Sequence, residues 1–121
     1  VDAQEPWFPG FTRVIWTEHV REMTDLSCQE RQDLMDVVFE VEHIMRQTLK
    51  PHKVNLASLG NQTPHLHWHV IPRFEDDAVF PAPVWVTGAD TPDAQRQRER
   101  TLGALAHYHE TLIQRFTCQL P

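Results

Sequence analysis

The sequence predicts an α+β domain in which an antiparallel sheet packs against one long helix, with an additional C-terminal helix. Three observations lead to this prediction. A stretch of β-branched and aromatic residues follows a Pro-Gly turn, two further apolar stretches are separated by a short polar turn, and two long segments repeat apolar residues every three or four positions. The 121 residues suffice for one domain with one core.

The strands are predicted from short apolar stretches next to turn residues. "TRVIWT", Thr12 to Thr17, follows the breaker pair Pro9-Gly10 and gives the first strand. "VNLASLG", Val54 to Gly60, gives the second. Only "NQTP" separates it from a stretch that contains three histidines, so we expect these two strands to form an antiparallel hairpin.

The helices are predicted from caps and apolar periodicity. Ser27 and Glu30 fit a capping box, and Lys50-Pro51 ends the apolar pattern that follows, so the long helix should run from Ser27 to Lys50. A second helix should begin at Thr91-Pro92, where threonine can cap and proline suits the first helical position. Its predicted apolar stripe comprises Leu102, Leu105, His109, Leu112, Ile113 and Phe116.

The composition narrows the class of protein and its partners. A formal net charge of -6 argues against binding a nucleic acid polymer, which needs clustered Lys and Arg. No run of 18 or more apolar residues occurs, and the first residues resemble no signal peptide, so we expect a cytoplasmic protein without membrane contact. Cys28 and Cys118 are far apart and outside any CxxC pattern, which predicts free thiols.

The stretch "PHLHWHVIP" places His65, His67 and His69 at alternate positions. In a strand these side chains share one face, and the intervening leucine, tryptophan and valine face the long helix. Successive residues on one face lie roughly 6.5 to 7 Å apart, so the three imidazoles form a row. The sequence therefore predicts a strand that is polar with histidine on one side and apolar on the other.

Three interpretations of this row remain open from spacing alone. It could be the solvated face of an amphipathic strand. It could hold a metal, because H-x-H offers two imidazole ligands to one ion, but no completing ligand in a comparable context is apparent, and we expect no metal and no cofactor. It could also supply a neutral imidazole that attacks phosphorus while its other ring nitrogen donates to a backbone carbonyl.

The motif "HLHWHVI" matches the pattern His-φ-His-φ-His-φ-φ, where φ is apolar, and resembles the histidine triad (HIT) superfamily. The similarity runs from about Pro9 to about Trp85 and includes "VNLASLG" and "FPAPVW". "NLASLGNxxPHLHWHVIPR" is most similar to a bacterial branch of diadenosine tetraphosphate hydrolase-like proteins. The resemblance implies a HIT-like domain over 1–90, its N-terminal segment apparently missing, and a C-terminal helical extension over 91–121 that packs on the same domain.

The resemblance also implies a nucleotide hydrolase or nucleotidyl transferase, commonly a homodimer. It would cleave at the α-phosphate of a dinucleoside polyphosphate, a nucleoside phosphoramidate or an acyl adenylate, through a covalent nucleotidyl-histidine. His67 would be the nucleophile, His69 would donate to a phosphate or leaving-group oxygen, and His65 would support the row. The candidates for substrate binding are Asn55, Asn61 and Gln62.

The sequence departs from the family where many members carry a histidine that orients the row, because Phe11 follows Pro9-Gly10 here. A nucleotide-binding protein with weak or no turnover is therefore the alternative function, and a metal-binding H-x-H-x-H strand the third. Arg73 is expected to form a surface ion pair with Glu75, Asp76 or Asp77. For Trp68 and Trp85, core packing is favoured over a base pocket.

Overall fold

A computed structural model describes residues 1–117 of the chain. The elements follow one another as strand β1 (Thr12–Ile15), a short 3-10 helix (Met23–Asp25), helix α1 (Cys28–Thr48), strands β2 (Lys53–Ala57) and β3 (His67–Arg73), and helix α2 (Pro92–Thr117). The predicted α+β fold is confirmed. Cys118 lies outside the described residues, and Cys28 is a free, exposed thiol.

The sheet has the order β1-β3-β2, and both pairings are antiparallel. The predicted hairpin of β2 and β3 is confirmed. The histidine-bearing strand lies in the centre, with Arg13 of β1 opposite His69 on one side and Ala57 of β2 opposite the same residue on the other. On each face of the sheet, the side chains of β3 therefore lie between those of β1 and those of β2.

Helix α1 begins where the sequence predicts it. The Ser27 side chain accepts a hydrogen bond from the Glu30 backbone N–H, and the Glu30 carboxylate accepts one from the Ser27 backbone N–H. The helix buries one face, and with the helix-facing side chains of β2 and β3 it forms the main core. The buried residues of this core are Val38, Val41, Ile44, Met45, Leu49, Val54, Val70 and Tyr108.

Helix α2 begins with the predicted cap, since Thr91 Oγ1 accepts from the Ala94 backbone N–H at 3.1 Å. Its predicted apolar stripe is wrong in part. Leu102 and Ile113 are 56% and 64% exposed. The buried residues of this helix are Ala94, Gln97, Thr101 and Tyr108.

The buried face of α2 differs from the predicted apolar stripe because it contains a small residue, Ala94, and polar residues that hydrogen-bond to one another. Gln97 Nε2 donates to Thr101 Oγ1 at 2.7 Å, so neither polar group is buried without a partner. Tyr108 OH lies 2.6 Å from Thr12 Oγ1. Since Thr12 Oγ1 already donates to the Gly10 carbonyl, the tyrosine hydroxyl donates to the threonine and ties α2 to β1. His109 Nε2 lies 3.0 Å from Asp2 Oδ2, and the histidine side chain is partly exposed.

The turn that leads into β1 requires glycine at position 10. Gly10 has φ +90°, and a Cβ there would lie 2.6 Å from Leu49 Cδ1. The turn therefore lies directly against the end of α1 and fixes where β1 starts. None of the helices in residues 1–117 is both long and apolar enough to cross a membrane.

The connection after β3 is held by a buried ion pair rather than the expected surface pair. Arg73 Nε donates to Asp77 Oδ2 at 2.9 Å, and the two side chains are 2% and 0% exposed. The arginine also donates to the Ala82 carbonyl and to Asn55 Oδ1. The pair is buried because the loop folds back over it, which sequence proximity alone did not indicate.

Asp77 organises this loop as an acceptor. Its carboxylate accepts from the backbone N–H groups of Phe74, Val79 and Phe80 as well as from Arg73. Burial alone would raise the pKa of Asp77, but these hydrogen bonds together lower it below its usual value. The charged carboxylate thus sets the path of the loop that leads to Trp85.

Candidate active site

A cleft of about 610 Å³ lies over the sheet face that is turned away from α1. Its lining comes from β1, from the loop between β2 and β3, from the histidine row and from the loop after β3. The lining residues are Arg13, Ile15, Leu59, Gly60, Asn61, Gln62, Thr63, His65, His67, His69 and Trp85. The three histidines predicted to share a face therefore do so, and they face one cavity.

His67 is the first residue of β3, and its ring orientation is set by the backbone before it. Its Nδ1 lies 2.6 Å from the carbonyl oxygen of His65. A carbonyl oxygen can only accept, so Nδ1 carries the proton and the neutral ring presents the lone pair of Nε2. This is the tautomer that a nucleophilic imidazole needs.

His65 precedes β3 and lies at one end of the histidine row. Its Nε2 donates to the carbonyl oxygen of Trp16, which leaves Nδ1 as an acceptor in the neutral ring. His19 Nδ1 lies 3.3 Å from that atom and is the matching donor. The position of His19 at the end of the β1 region thus serves to hold His65.

His69 is the most enclosed member of the row, with 6% exposure. Its ring lies 4.8 Å from that of His67 and 5.3 Å from those of Phe11 and Trp85, measured between centroids. Burial, followed by the proximity of His67 and Arg13, lowers the pKa of His69 to about 4. The ring is therefore neutral at pH 7.

The buried Nδ1 of His69 has no hydrogen-bond partner within residues 1–117. A buried N–H without an acceptor costs more than a bare lone pair beside an aromatic edge, which favours the tautomer with its proton on Nε2. In that tautomer His69 offers one N–H donor toward the cleft. His67 thus presents a lone pair on Nε2, and the neighbouring His69 presents an N–H donor, so both can contact one ligand in the cleft.

The amide candidates divide between two places. Asn61 and Gln62 line the cleft beside the histidine row. Asn55 is on β2, where its Oδ1 accepts from Arg73 Nη1 at 2.9 Å, and it is not among the residues that line the cleft. Arg73, which was predicted to lie at the surface, thus donates a hydrogen bond to Asn55, which was predicted to bind the substrate.

The two tryptophans lie in different surroundings, one in the core and one at the cleft. Trp68 packs toward the helices, and its indole N–H donates to Met23 Sδ at 3.4 Å, as expected for a core residue. Trp85 is 52% exposed and lines the cleft next to His69, so core packing is wrong for this residue. The ordered loop built on Asp77 brings it there, which the motif spacing did not reveal.

Sequence reasoning missed Arg13, which lies on the cleft face of β1. Alternation along "FTRVI" would have placed Phe11, Arg13 and Ile15 on one side, because Thr12 and Val14 face the helices. Alternation does not predict the register between β1 and β3, and it is this register that places Arg13 opposite His69.

Within residues 1–117 no group of three or more histidine, cysteine, aspartate or glutamate side chains has an arrangement that would hold a metal ion. The imidazole nitrogens of His65 and His67 that hydrogen-bond to carbonyl oxygens carry protons and are not free to ligate.

Comparisons with known proteins agree with this geometry. The chain is 31% identical over 81 residues to the AP-4-A phosphorylase of Mycobacterium tuberculosis, a match that covers 62% of this chain and 42% of the relative. The chain therefore spans less than half the length of that relative.

Solved structures of two histidine triad proteins are similar in fold. The protein from Marinobacter aquaeolei superposes with a TM-score of 0.67 at 27% identity, and that from Bradyrhizobium japonicum with 0.64 at 28% identity. Each match covers 88% of this chain and 78% of the other chain. The family pattern described as the HIT domain matches residues 1–76, and the chain belongs to the HIT domain family.

Proposed function

We propose that this HIT-family protein is a nucleotide hydrolase or nucleotidyl transferase that acts at the α-phosphate through a covalent intermediate on His67. The observation that carries the proposal is the hydrogen bond from His67 Nδ1 to the His65 carbonyl oxygen, which leaves Nε2 free to attack. The similarity to an AP-4-A phosphorylase supports a nucleotide substrate. The candidate substrates are a dinucleoside polyphosphate, a nucleoside phosphoramidate and an acyl adenylate.

In the first step His67 Nε2 forms a bond to the α-phosphorus, and the bond from phosphorus to the leaving group breaks, its electron pair departing with the leaving group. His69 donates a hydrogen bond from Nε2 to a phosphate or leaving-group oxygen. Asn61 and Gln62 are placed to donate amide hydrogen bonds to the phosphoryl oxygens. Fixed donors of this kind stabilise charge that grows on those oxygens in the transition state.

In the second step water attacks the same phosphorus and the bond to His67 Nε2 breaks, releasing a nucleoside monophosphate and returning the neutral ring. The water proton leaves with the phosphate or to solvent. An acceptor other than water would make the same chemistry a transfer. His65 positions His67 through its backbone carbonyl and is itself held by Trp16 and His19.

Intact-mass analysis tests this mechanism. The wild type is mixed with adenosine 5′-phosphoramidate or diadenosine tetraphosphate and quenched rapidly without acid, because a phosphorus–nitrogen bond to histidine is acid-labile. We expect one adenylyl group on the wild type and none on His67→Ala. The matched control is His43→Ala, which removes an exposed histidine of α1 and should keep the adduct.

The second candidate is a nucleotide-binding protein with weak turnover. The observation that favours it is the unpartnered Nδ1 of His69 beside Phe11, where many family members place an orienting histidine. AMP bound by the wild type, with no adduct and no product from either substrate, would select this function. The expected homodimer and cytoplasmic location stay predictions.

A further inference from the structure

Arg13 is a cation on the cleft face with no side-chain hydrogen bond or ion pair to any residue in 1–117. Its backbone N–H and carbonyl hydrogen-bond to the N-terminal residue, and its guanidinium Cζ lies over the Phe11 ring, 5.9 Å from the ring centroid. By contrast, Arg73 is paired with Asp77 and Arg98 with Asp90. Arg13 is therefore free to bind an anion in the cleft.

The register of β1 and β3 fixes where that anion would lie. Arg13 is opposite His69, whereas Ile15 is opposite His67, so the positive charge flanks the residue proposed to contact the leaving group and an apolar side chain flanks the nucleophile. Arginine suits this task because its planar group of five N–H donors matches phosphate oxygens in a bidentate manner. The chain has a net charge of -6, so an unpaired arginine beside the histidine row supplies a local positive charge that the chain as a whole lacks.

Leaving groups differ in whether they need a proton as they depart. A leaving group that departs as a phosphate or polyphosphate anion needs charge neutralisation, whereas an amine or ammonia must gain a proton as it departs. His69 has hydrophobic Phe11 and Trp85 around it and no carboxylate or carbonyl partner on Nδ1 to stabilise an imidazolium. A ring in this setting donates a hydrogen bond more readily than a full proton.

We infer that Arg13 binds the anionic leaving group, so that this cleft takes nucleoside polyphosphates in preference to nucleoside phosphoramidates. The inference rests on the proposed function and names the substrate class for the same site. In the first step Arg13 neutralises the oxygens of the departing phosphate or polyphosphate while the bond to the α-phosphorus breaks. No proton has to be delivered to that leaving group.

The test compares kcat/KM of the wild type and Arg13→Gln on diadenosine tetraphosphate and on adenosine 5′-phosphoramidate. A charge-assisted hydrogen bond contributes about 1.5 to 3 kcal/mol, so kcat/KM on the tetraphosphate should fall roughly 10- to 150-fold. The phosphoramidate should change less than about twofold, because its leaving group carries no phosphate. Arg13→Lys should keep part of the tetraphosphate activity, since it retains the charge and loses the planar fork.

Arg46→Gln is the matched control, because it removes the same charge from an exposed site in the last turn of α1. It should leave both substrates unchanged. Equal loss on both substrates, or none on the tetraphosphate, would overturn the role of Arg13 while the adduct on His67 still supports the proposed function. Absence of both turnover and adduct in the wild type would overturn the two together.

Discussion

Phe11 lies edge-on against His69, with the ring centroids 5.3 Å apart and the planes at 86°. The phenyl ring is 3% exposed and helps to enclose the imidazole, but it has no acceptor or donor for the buried, unpartnered Nδ1. A buried polar atom without a partner is unusual in a folded protein and marks a place where substitution should alter function. The same contact contributes to the burial that is the leading cause of the low pKa of His69.

Phe11→His should give His69 Nδ1 a partner and raise its pKa. With the higher pKa, His69 is protonated more often and delivers a proton to an amine leaving group. A fully positioned acid–base group contributes 10²- to 10⁴-fold, and we expect part of that effect, a gain of about tenfold in phosphoramidate turnover. NMR titration of the histidine Cε1–H signals measures the pKa directly. Phe11→Leu is the control, which keeps the site apolar and should show neither effect; an unchanged His69 pKa in Phe11→His would contradict the prediction.

Acid should destabilise the fold through His69. Its folded-state pKa of about 4 is below the usual 6.5, so between these values the unfolded chain binds a proton that the folded chain does not. The stabilisation is present above pH 6.5 and is lost as the pH falls toward 4. From pH 7.5 to 5.0 this contributes a loss of roughly 2 kcal/mol in the free energy of unfolding.

Urea unfolding at the two pH values checks this contribution. His69→Gln removes the titrating group and should flatten the dependence by about that amount, whereas His43→Gln, on the exposed side of α1, should keep the wild-type dependence. The same pH dependence in wild type and His69→Gln would show that His69 does not carry the effect.

Two adjacent aspartates should differ sharply in their contribution to stability. Asp77→Ala leaves the buried guanidinium of Arg73 without its counter-charge and three backbone N–H groups without an acceptor, which should cost about 3 to 5 kcal/mol. Asp76→Ala removes only an exposed pair with Arg100 and should cost less than about 1 kcal/mol. Urea unfolding of both variants measures the difference, and similar losses would refute the assignment of Asp77 as the anchor of the loop.

Features decided by nearby residues could be predicted from the sequence. The capping box of Ser27 and Glu30 needs only four residues, and the shared face of the histidines needs only the two-residue period of a strand. These local rules gave the order of elements, α1, the hairpin and the histidine row.

Features decided by a distant partner could not be predicted. Arg73 is buried because a loop closes over it, and there it donates a hydrogen bond to Asn55, which does not line the cleft. The position of Arg13 beside His69 depends on strand register, and Trp85 reaches the cleft through the path of the loop after β3. Apolar periodicity also overlooked Tyr108, because a tyrosine with a hydrogen-bond partner is buried as readily as a leucine.

The match to the family pattern ends at residue 76, yet the hydrophobic core of this protein includes a residue well beyond it. Tyr108, with no exposed surface, lies in the same core as Val38 and Val70, and its hydroxyl donates to Thr12 at the start of the strand that bears Arg13. A fragment trimmed to the family boundary would leave this core open to water and the strand without its anchor. The segment that matches the family pattern is thus shorter than the segment whose side chains form the core behind the cleft.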